Sequence, residues 1–349
     1  MSMYDFFMND MKLGINELVE TCRFVGVHPD LVQGGGGNNS VKIDSERMLI
    51  KASGIELKNV TVDDGVVMVN FKEIKDFFYE NISLPTNPRL NTVLQEYTIQ
   101  DDNMSPLLRP SIEAGFHSLL KKYVIHSHSV YANILSCSFE GEAIFNNLMS
   151  EINIDFAWVK YTTPGAELTL RMAEDSMSFS NKEFPNVIIL ENHGLIIHSD
   201  NYNEVYQLSE LIEITIKNHF GITQNYPKVR ISKLSDTNYT SATAYINNFL
   251  TLNTVFKRII FPDQMVYFDN NISYDDQLKK INIDLVNKTL CYHCSEREAM
   301  AIEETIVAYL FIISHIEKYN LTLRTISTKS IERIVNMESE KYRRDLLNT

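Results

Sequence analysis

Apolar residues recur along this chain at helical spacing in some stretches and in short unbroken runs in others, and the two kinds of stretch interleave. Between Met3 and Val27 an apolar side chain returns every three or four residues, which predicts an opening helix. Two short runs at 39–43 and 48–52 flank a polar tetrapeptide, as in a β-hairpin. The same reasoning predicts strands at 66–69, 123–130, 156–161 and 187–190 and helices at 111–120, 142–150, 167–173 and 202–220. A mixed α/β domain is therefore expected.

Two stretches depart from this regular pattern. The polar residues between Phe71 and Leu108 include three prolines and one plausible helix, so we expect an insertion near the site entrance rather than a core element. After a polar boundary near 224–227, the pattern predicts a helix at 242–252, strands at 258–261, 265–268 and near Ile281 and Leu290, and closing helices at 296–318 and 328–347. We expect a catalytic domain over 1–225 and a smaller α+β extension over 226–349.

Composition narrows the class of protein. The formal net charge of -13 disfavours nucleic-acid binding, so an anionic substrate would have to be held by local donors. Four scattered cysteines do not form a disulfide framework and fit a reducing cytosol, and the single Cys-x-x-Cys unit, Cys291 to Cys294, has no second pair. No run approaches the apolar length of a membrane span, and the N-terminus lacks the basic start of a signal peptide. We expect a soluble, cytoplasmic protein that binds neither nucleic acid nor membrane.

Three histidines form the first candidate site. His126 and His128 are two residues apart on a predicted strand, so both imidazoles project from the same face. His193 follows the apolar strand 187–190, and Gly194 allows the sharp turn that would present its ring. Three protein ligands with an open fourth position are typical of a catalytic zinc site. The pattern predicts a divalent metal site with Zn2+ as the expected ion, although imidazole also accepts Co2+, Mn2+ or Fe2+.

Glu113 is the candidate acid/base beside that site. It lies in the first turn of the predicted helix that Ser111 can cap, where a negative charge is favoured by the helix dipole. A neighbouring cation would tune its pKa for moving a proton to and from a substrate carbon. His117, four residues further on, shares that helix face and is a competing ligand, with packing as the favoured interpretation.

A glycine tract and two serine segments form a candidate anion cradle. Residues 34–37 are all glycine, so their N–H groups can converge on an anion, and Asn38 can add its amide. Ser53 with Gly54, and Ser111 at a helix start, offer donors of the same kind. These places predict one phosphate site. Its substrate-binding residues would be Gly37, Asn38, Ser53, Gly54 and Ser111, with Lys42, Lys51 and Arg109 as charge partners.

These motifs resemble, in order, those of the class II aldolase/adducin family, which includes fuculose-phosphate and rhamnulose-phosphate aldolases and ribulose-phosphate 4-epimerase. The resemblance covers roughly residues 13–220. The family's phosphate-binding Gly-Asn-x-Ser segment matches 37–40, its Ser-Gly matches 53–54 and its Ser-x-Glu matches 111–113. Its metal-binding His-x-His and His-Gly match 126–128 and 193–194, and a Pro-Gly turn matches 164–165.

The resemblance implies a three-layer αβα sandwich with a central, mostly antiparallel sheet, and a homo-oligomer, usually a tetramer. It also implies a metal-dependent retro-aldol reaction on a sugar phosphate through a metal-stabilised enediolate, with Glu113 as acid/base. Two positions depart from the small aldolases. Ile112 replaces a second serine, and no tyrosine matches the catalytic one that a neighbouring subunit donates there, leaving Tyr131 and Tyr161 as candidates.

Other functions fit parts of the same pattern. Relatives epimerise, dehydrate or decarboxylate sugar phosphates at a similar site, so the reaction is less specific than the metal dependence. An adducin-like scaffold would keep the fold without catalysis, but it needs neither the three histidines nor Glu113. An unrelated metal-dependent hydrolase would need an activated water but no glycine and asparagine cradle.

Overall fold

A computed structural model of the chain describes residues 3–84, 87–100, 108–241, 255–267, 271–274, 279–284 and 286–338. The helices are α1 (Met3–Gly26), α2 (Phe71–Glu80), α3 (Val93–Glu96), α4 (Ala114–Leu119), α5 (Val130–Ser136), α6 (Gly141–Glu151), α7 (Ala166–Ser176), α8 (Tyr202–His219), α9 (Asp263–Tyr267), α10 (Glu296–Lys318) and α11 (Thr328–Asn336). The strands are β1 (Asn38–Lys42), β2 (Arg47–Lys51), β3 (Val66–Asn70), β4 (Thr98–Ile99), β5 (Tyr123–Ser127), β6 (Phe156–Val159), β7 (Val187–Leu190), β8 (Gly194–Ser199), β9 (Ser232–Ser235), β10 (Asn238–Ser241), β11 (Ile272–Tyr274), β12 (Ile281–Asp284) and β13 (Thr289–His293).

The larger sheet has eight strands in the order β4-β3-β2-β1-β5-β8-β7-β6. All of its neighbours are antiparallel except β6 and β7, which confirms the expected mostly antiparallel sheet. Asn38 at the start of β1 lies opposite His126 near the end of β5, and Ser127 lies opposite Leu195 near the start of β8. The glycine tract before β1, the end of β5 and the turn before β8 therefore meet at the same end of these central strands.

Helices cover both faces of this sheet. Successive strand residues point to opposite sides, so Leu49 packs in one apolar cluster and Met48 and Ile50 pack in another. One face is covered by α1, α5 and α8, and the other by α2, α4 and α7. The three-layer αβα arrangement predicted from the sequence is confirmed.

Two local predictions in this domain were wrong. The stretch expected to be an insertion contains α2, whose Ile74 and Phe78 are buried against the sheet, together with the edge strand β4. The strand predicted at 123–130 ends at Ser127 because the Ser129 side chain accepts the Ala132 N–H and begins the unpredicted helix α5.

The C-terminal part adds a five-stranded sheet, in the order β11-β12-β13-β10-β9, and the long helix α10. The strands near Ile281 and Leu290 are confirmed as β12 and β13. The strands predicted at 258–261 and 265–268 were wrong. Gln264 accepts the N–H groups of Ile260 and Phe261, which satisfies them without a sheet partner, and α9 follows. The helix predicted at 242–252 lies outside the described residues. The helix predicted at 328–347 was too long, because α11 ends at Asn336 and Met337 is extended.

Helix α10 joins the two parts of the molecule. Its apolar side chains, such as Ile306 and Phe311, belong to the same buried cluster as Tyr131 of α5 and Ile125 of β5. Within the described ranges it is the one helix that is long and apolar enough, by length and composition, to cross a membrane. However, 78% of its apolar window is buried inside the protein, as is usual for a core helix.

A buried histidine of β8 makes the fold sensitive to acid. His198 accepts the Lys121 N–H and donates to the Pro185 carbonyl, and burial lowers its pKa from 6.5 to about 3. Between these values the unfolded chain binds a proton that the folded chain does not, so stability is lost as the pH falls below about 6.5. For metal-free protein, we expect this residue to lower the unfolding free energy by about 2 kcal/mol between pH 7.5 and pH 5.

Urea unfolding at these two pH values measures this loss. In His198→Gln the acid-induced loss is expected to shrink by the same amount, because glutamine does not titrate. An equal loss in the parent and the variant would contradict the assignment.

Candidate metal centre

Three histidine rings converge at the end of the central strands, where the glycine tract, β5 and the β7–β8 turn meet. The ring centroids of His126, His128 and His193 form a nearly equilateral triangle with sides of 4.9, 5.0 and 5.1 Å. Glu113 Oε1 lies 3.3 Å from His126 Nε2 and 3.5 Å from His193 Nε2. All four residues are buried, and one ligand atom from each lies within 4.8 Å of the others.

The turn that presents His193 depends on its neighbours. Asn192 adopts the left-handed conformation with φ 53°, and the His193 N–H donates to the Leu190 carbonyl at 3.1 Å. A Cβ at Gly194 would lie 2.2 Å from the Ser127 carbonyl oxygen, so only glycine fits where β8 passes β5. The close approach expected of Gly194 from the sequence is present.

Hydrogen bonds fix how two of the rings are presented. The Nδ1 of His126 lies 3.1 Å from the Leu195 carbonyl, and the Nδ1 of His128 lies 2.6 Å from Asp263 Oδ2. A carbonyl or carboxylate oxygen only accepts, so both Nδ1 atoms are assigned the proton, and Nε2 is the ring atom of each that could ligate an ion. The buried Nε2 of His126 has no hydrogen-bond partner among the described residues. A buried lone pair of this kind is what a metal ion would satisfy.

The charges of the site favour ligation. Burial lowers the pKa of His193 to about 4, so its ring is neutral at physiological pH, as a metal ligand must be. Burial alone would raise the pKa of Glu113, but His126 and His193 outweigh burial and hold that pKa well below its usual value. Glu113 is therefore a carboxylate. Three imidazoles beside one carboxylate fit a divalent cation without selecting which one.

His117, the competing ligand in the sequence, lies outside this group. Its Nδ1 lies 2.7 Å from Ser40 Oγ, and its ring stacks on Phe116 with centroids 4.8 Å apart. Burial lowers its pKa to about 3. These contacts agree with the packing interpretation.

The four N–H groups of the glycine tract already have partners within the protein. The acceptors, for residues 34 to 37 in order, are Glu304 Oε2 at 2.7 Å, Tyr267 Oη at 2.9 Å, the Gln33 carbonyl at 2.9 Å and His128 Nε2 at a long 3.4 Å. Two of the acceptors, Glu304 and Tyr267, belong to the C-terminal part. Hydrogen-bond donors for a bound anion would therefore have to come mainly from groups other than the N–H groups of residues 34–37.

One pocket collects most of the predicted site residues. Its lining comprises Gly35, Gly36, Gly37, Lys51, Ser53, Gly54, Ser111, Ile112, Glu113, His128, Pro164, His193, Pro262 and Asp263. His126 lies behind this lining with its Nε2 near Glu113. Asn38 also lies behind it, with a fully buried amide that has no hydrogen-bond partner among the described residues.

Of the three predicted charge partners, only Lys51 lines the pocket. Its Nζ donates to the Ile55 carbonyl at 2.7 Å and to the Gly35 carbonyl at 3.4 Å. Lys42 instead contacts carbonyls at the end of α4, and Arg109 lies on the surface 3.4 Å from Glu338. Of these three cations, Lys51 is therefore the one that contacts the glycine tract.

The two tyrosine candidates do not line the pocket either. Tyr131 donates to Asp30, and burial raises the pKa of Tyr161 well above its ordinary value. One residue that does line the pocket, Asp263, was not predicted from the sequence. Asp263 hydrogen bonds to His128, but 135 residues separate the pair, and no local pattern signals such a contact.

Comparison with known proteins places the chain in a family. The model of the class II aldolase and adducin N-terminal domain matches residues 16–220. A Bacillus subtilis (strain 168) protein described as "Uncharacterized oxidoreductase YuxG" is 28% identical over 204 residues, which are 56% of this chain and 28% of that protein. The chain thus spans less than a third of that relative, and the oxidoreductase description is not carried over.

Two solved structures share part of the chain. An N-terminal class II aldolase domain from Thermoplasma acidophilum is 22% identical, covers 59% of this chain and 92% of its own, and gives a TM-score of 0.47. A sugar-phosphate aldolase from Thermotoga maritima is 15% identical, covers 62% of this chain and 98% of its own, and gives a TM-score of 0.44. These scores are too low to support a functional argument. Because the domain match extends over more than half of the sequence, this chain belongs to the class II aldolase and adducin family.

Proposed function

We propose that this protein is a divalent-metal-dependent lyase that cleaves a ketose phosphate, or a related ketose, by a retro-aldol reaction. The observation that carries the proposal is the convergence of three buried imidazoles and a buried carboxylate, whose ligand atoms all lie within 4.8 Å of one another. A structural scaffold has no need of this buried, partly unsatisfied polar group, which costs folding free energy. The retained site therefore favours an enzyme.

The residues of the pocket divide the work. His126, His128 and His193 would hold the ion, which when bound supplies Lewis-acid stabilisation of negative charge developing on the substrate oxygens. Glu113 is ionised and its Oε1 lies within 3.5 Å of the Nε2 atoms of His126 and His193, so it is placed beside the ion to accept a proton and return it to carbon. The burial of the site strengthens both effects because little water competes.

Substrate binding would depend on other residues of the same pocket lining. Ser53, Gly54, Ser111 and Lys51 all belong to that lining. We assign the phosphate, or an equivalent anionic group, to these residues. Gly37 and the buried amide of Asn38 would support it from behind.

The test is metal analysis of purified protein followed by a screen of ketose phosphates. We expect a stoichiometric divalent ion, with zinc as the first candidate, and release of dihydroxyacetone phosphate or glycolaldehyde phosphate. A metal-free, inactive protein would favour the scaffold. Isomerised, dehydrated or decarboxylated products without aldehyde release would instead assign one of the related reactions of the same site.

The proposal extends to the organisation of the protein. We propose residues 1–225 as the catalytic domain and 226–349 as an extension, in line with a domain match that ends at residue 220. We also propose a homo-oligomer, as the family resemblance implies. We propose a cytoplasmic location because all four cysteines are unpaired thiols. Size-exclusion chromatography with light scattering tests the assembly.

A further inference from the structure

We propose that the C-terminal segment, the extension over 226–349, completes the metal centre. Asp263 is the positioning residue that holds the His128 ring. The inference rests on the proposed metal-dependent function, since it concerns how this chain prepares one of the ligands. Asp263 lies beyond the stretch that matches the family domain, which ends at residue 220. No site residue predicted from the sequence plays this part.

The contact between Asp263 and His128 is short and shielded. Oδ2 of Asp263 lies 2.6 Å from Nδ1 of His128, and Asp263 is only 3% exposed. A carboxylate acceptor fixes the tautomer, fixes the ring orientation and raises the basicity of the opposite nitrogen. Here that nitrogen is Nε2, the ring atom that would ligate an ion. The pair has the form of a carboxylate–histidine–metal arrangement.

The position of Asp263 is itself determined by the fold of the C-terminal segment. Gln264 holds the preceding turn by accepting the N–H groups of Ile260 and Phe261. The Ile260 carbonyl in turn accepts from the side chain of Asn192, the residue before His193, at 2.8 Å. The segment is thus tied to two ligand-bearing loops, at His128 directly and at the His193 turn through Asn192.

A second tie strengthens the same turn. Arg324 lies 2.8 Å from Glu191 Oε2, and its carbonyl accepts from the Asn192 amide at 3.0 Å. Both partners flank His193 on its N-terminal side. The C-terminal segment therefore constrains two of the three ligands before any ion binds, which lowers the ordering cost of ligation.

The experiment compares the full-length parent with Asp263→Ala, Asp263→Asn and the control Glu303→Gln. Glu303 is a buried carboxyl of the same C-terminal segment, and its hydrogen-bond partners among the described residues are Ser241 and Tyr292. The affinity for Zn2+ is measured by chelator competition, and the geometry is followed by the visible absorption of the Co2+ form. Asp263→Ala is expected to bind Zn2+ about 10–100-fold more weakly and to change the Co2+ spectrum.

The other variants separate positioning from general loss of structure. Asp263→Asn keeps a neutral acceptor oxygen, so it should recover most of the affinity and the Co2+ spectrum, while Glu303→Gln should match the parent. A parent that binds metal together with an Asp263→Ala variant of equal affinity and spectrum would overturn this inference alone. Equal losses in the alanine, asparagine and control variants would also overturn it. A parent that binds no metal would overturn the proposed function and this inference together.

Gly36 provides an independent perturbation of the same pair. A Cβ at this position would lie 2.7 Å from His128 Nδ1 and 2.8 Å from Asp263 Oδ2, closer than van der Waals contact allows. We expect Gly36→Ala to displace the pair and to weaken Zn2+ binding about 10-fold. In the Asp263→Ala background the same substitution should cost clearly less, because the contact is already lost. Fully additive losses in the double variant would contradict a shared mechanism.

Discussion

Glu113→Gln is expected to lower turnover by about 10²–10⁴-fold while the purified protein keeps its metal. Glutamine preserves the shape and burial of the side chain but cannot accept a proton from the substrate. The three imidazoles remain, so metal content measured by atomic emission should match the parent. Turnover on the ketose phosphate identified by the screen gives the second measurement.

The matched control is Glu213→Gln. Glu213 is a buried glutamate that accepts from Ser129, and burial raises its pKa to about 8, so it is already protonated at neutral pH. Glutamine therefore imitates its normal state, and both metal content and turnover should be unchanged. Unchanged turnover in Glu113→Gln would remove that residue from the reaction. Loss of metal in Glu113→Gln would make it a ligand rather than the acid/base.

The parts of the site that follow from the sequence are those set by local geometry. His126 lies in β5 and His128 directly follows its last residue, so the extended spacing of two brings both rings to one site, and His193 lies in a turn because an apolar strand ends before Asn192 and Gly194. The antiparallel pairing of β5 with β1 and β8 then brings the glycine tract to the same edge. Periodicity and turn chemistry suffice for these features.

The parts that do not follow are long-range side-chain contacts. Glu304 and Tyr267 accept the N–H groups of Gly34 and Gly35 across sequence separations of 270 and 232 residues. A tract of glycines predicts that N–H groups are accessible, but not which acceptor reaches them first. The same limit hid Asp263, and it explains why Lys42 was named beside Lys51 although only the latter faces the pocket.

These contacts change which groups of the site are expected to bind an anion. If the backbone of the glycine tract is held by the C-terminal part, its role is to shape the pocket wall rather than to bind phosphate through four N–H groups. In the proposed function, recognition of the anion would then depend on Lys51, Ser53 and Ser111, which line the pocket. The acidic protein as a whole offers no long-range attraction, so this local cation carries more weight.

His126→Ala is expected to remove both metal and activity. His126 is fully buried in β5, and its Nε2 has no hydrogen-bond partner among the described residues. Removing a side chain that hydrogen bonds to a metal ligand lowers the metal affinity by about 10–100-fold. Removing the ligand His126 itself should lower the affinity by more. Chelator competition gives the affinity, and turnover should fall to the level of the chelated parent.

The control for this change is His198→Gln, which replaces another buried histidine of the same sheet. His198 hydrogen bonds to Lys121 and Pro185 and lies outside the ligand group. We expect this variant to keep its metal even where its stability differs from that of the parent. Retention of stoichiometric metal by His126→Ala would exclude the three-histidine centre. Loss of metal by both variants would mean that the disruption of the sheet, rather than the loss of a ligand, accounts for the effect.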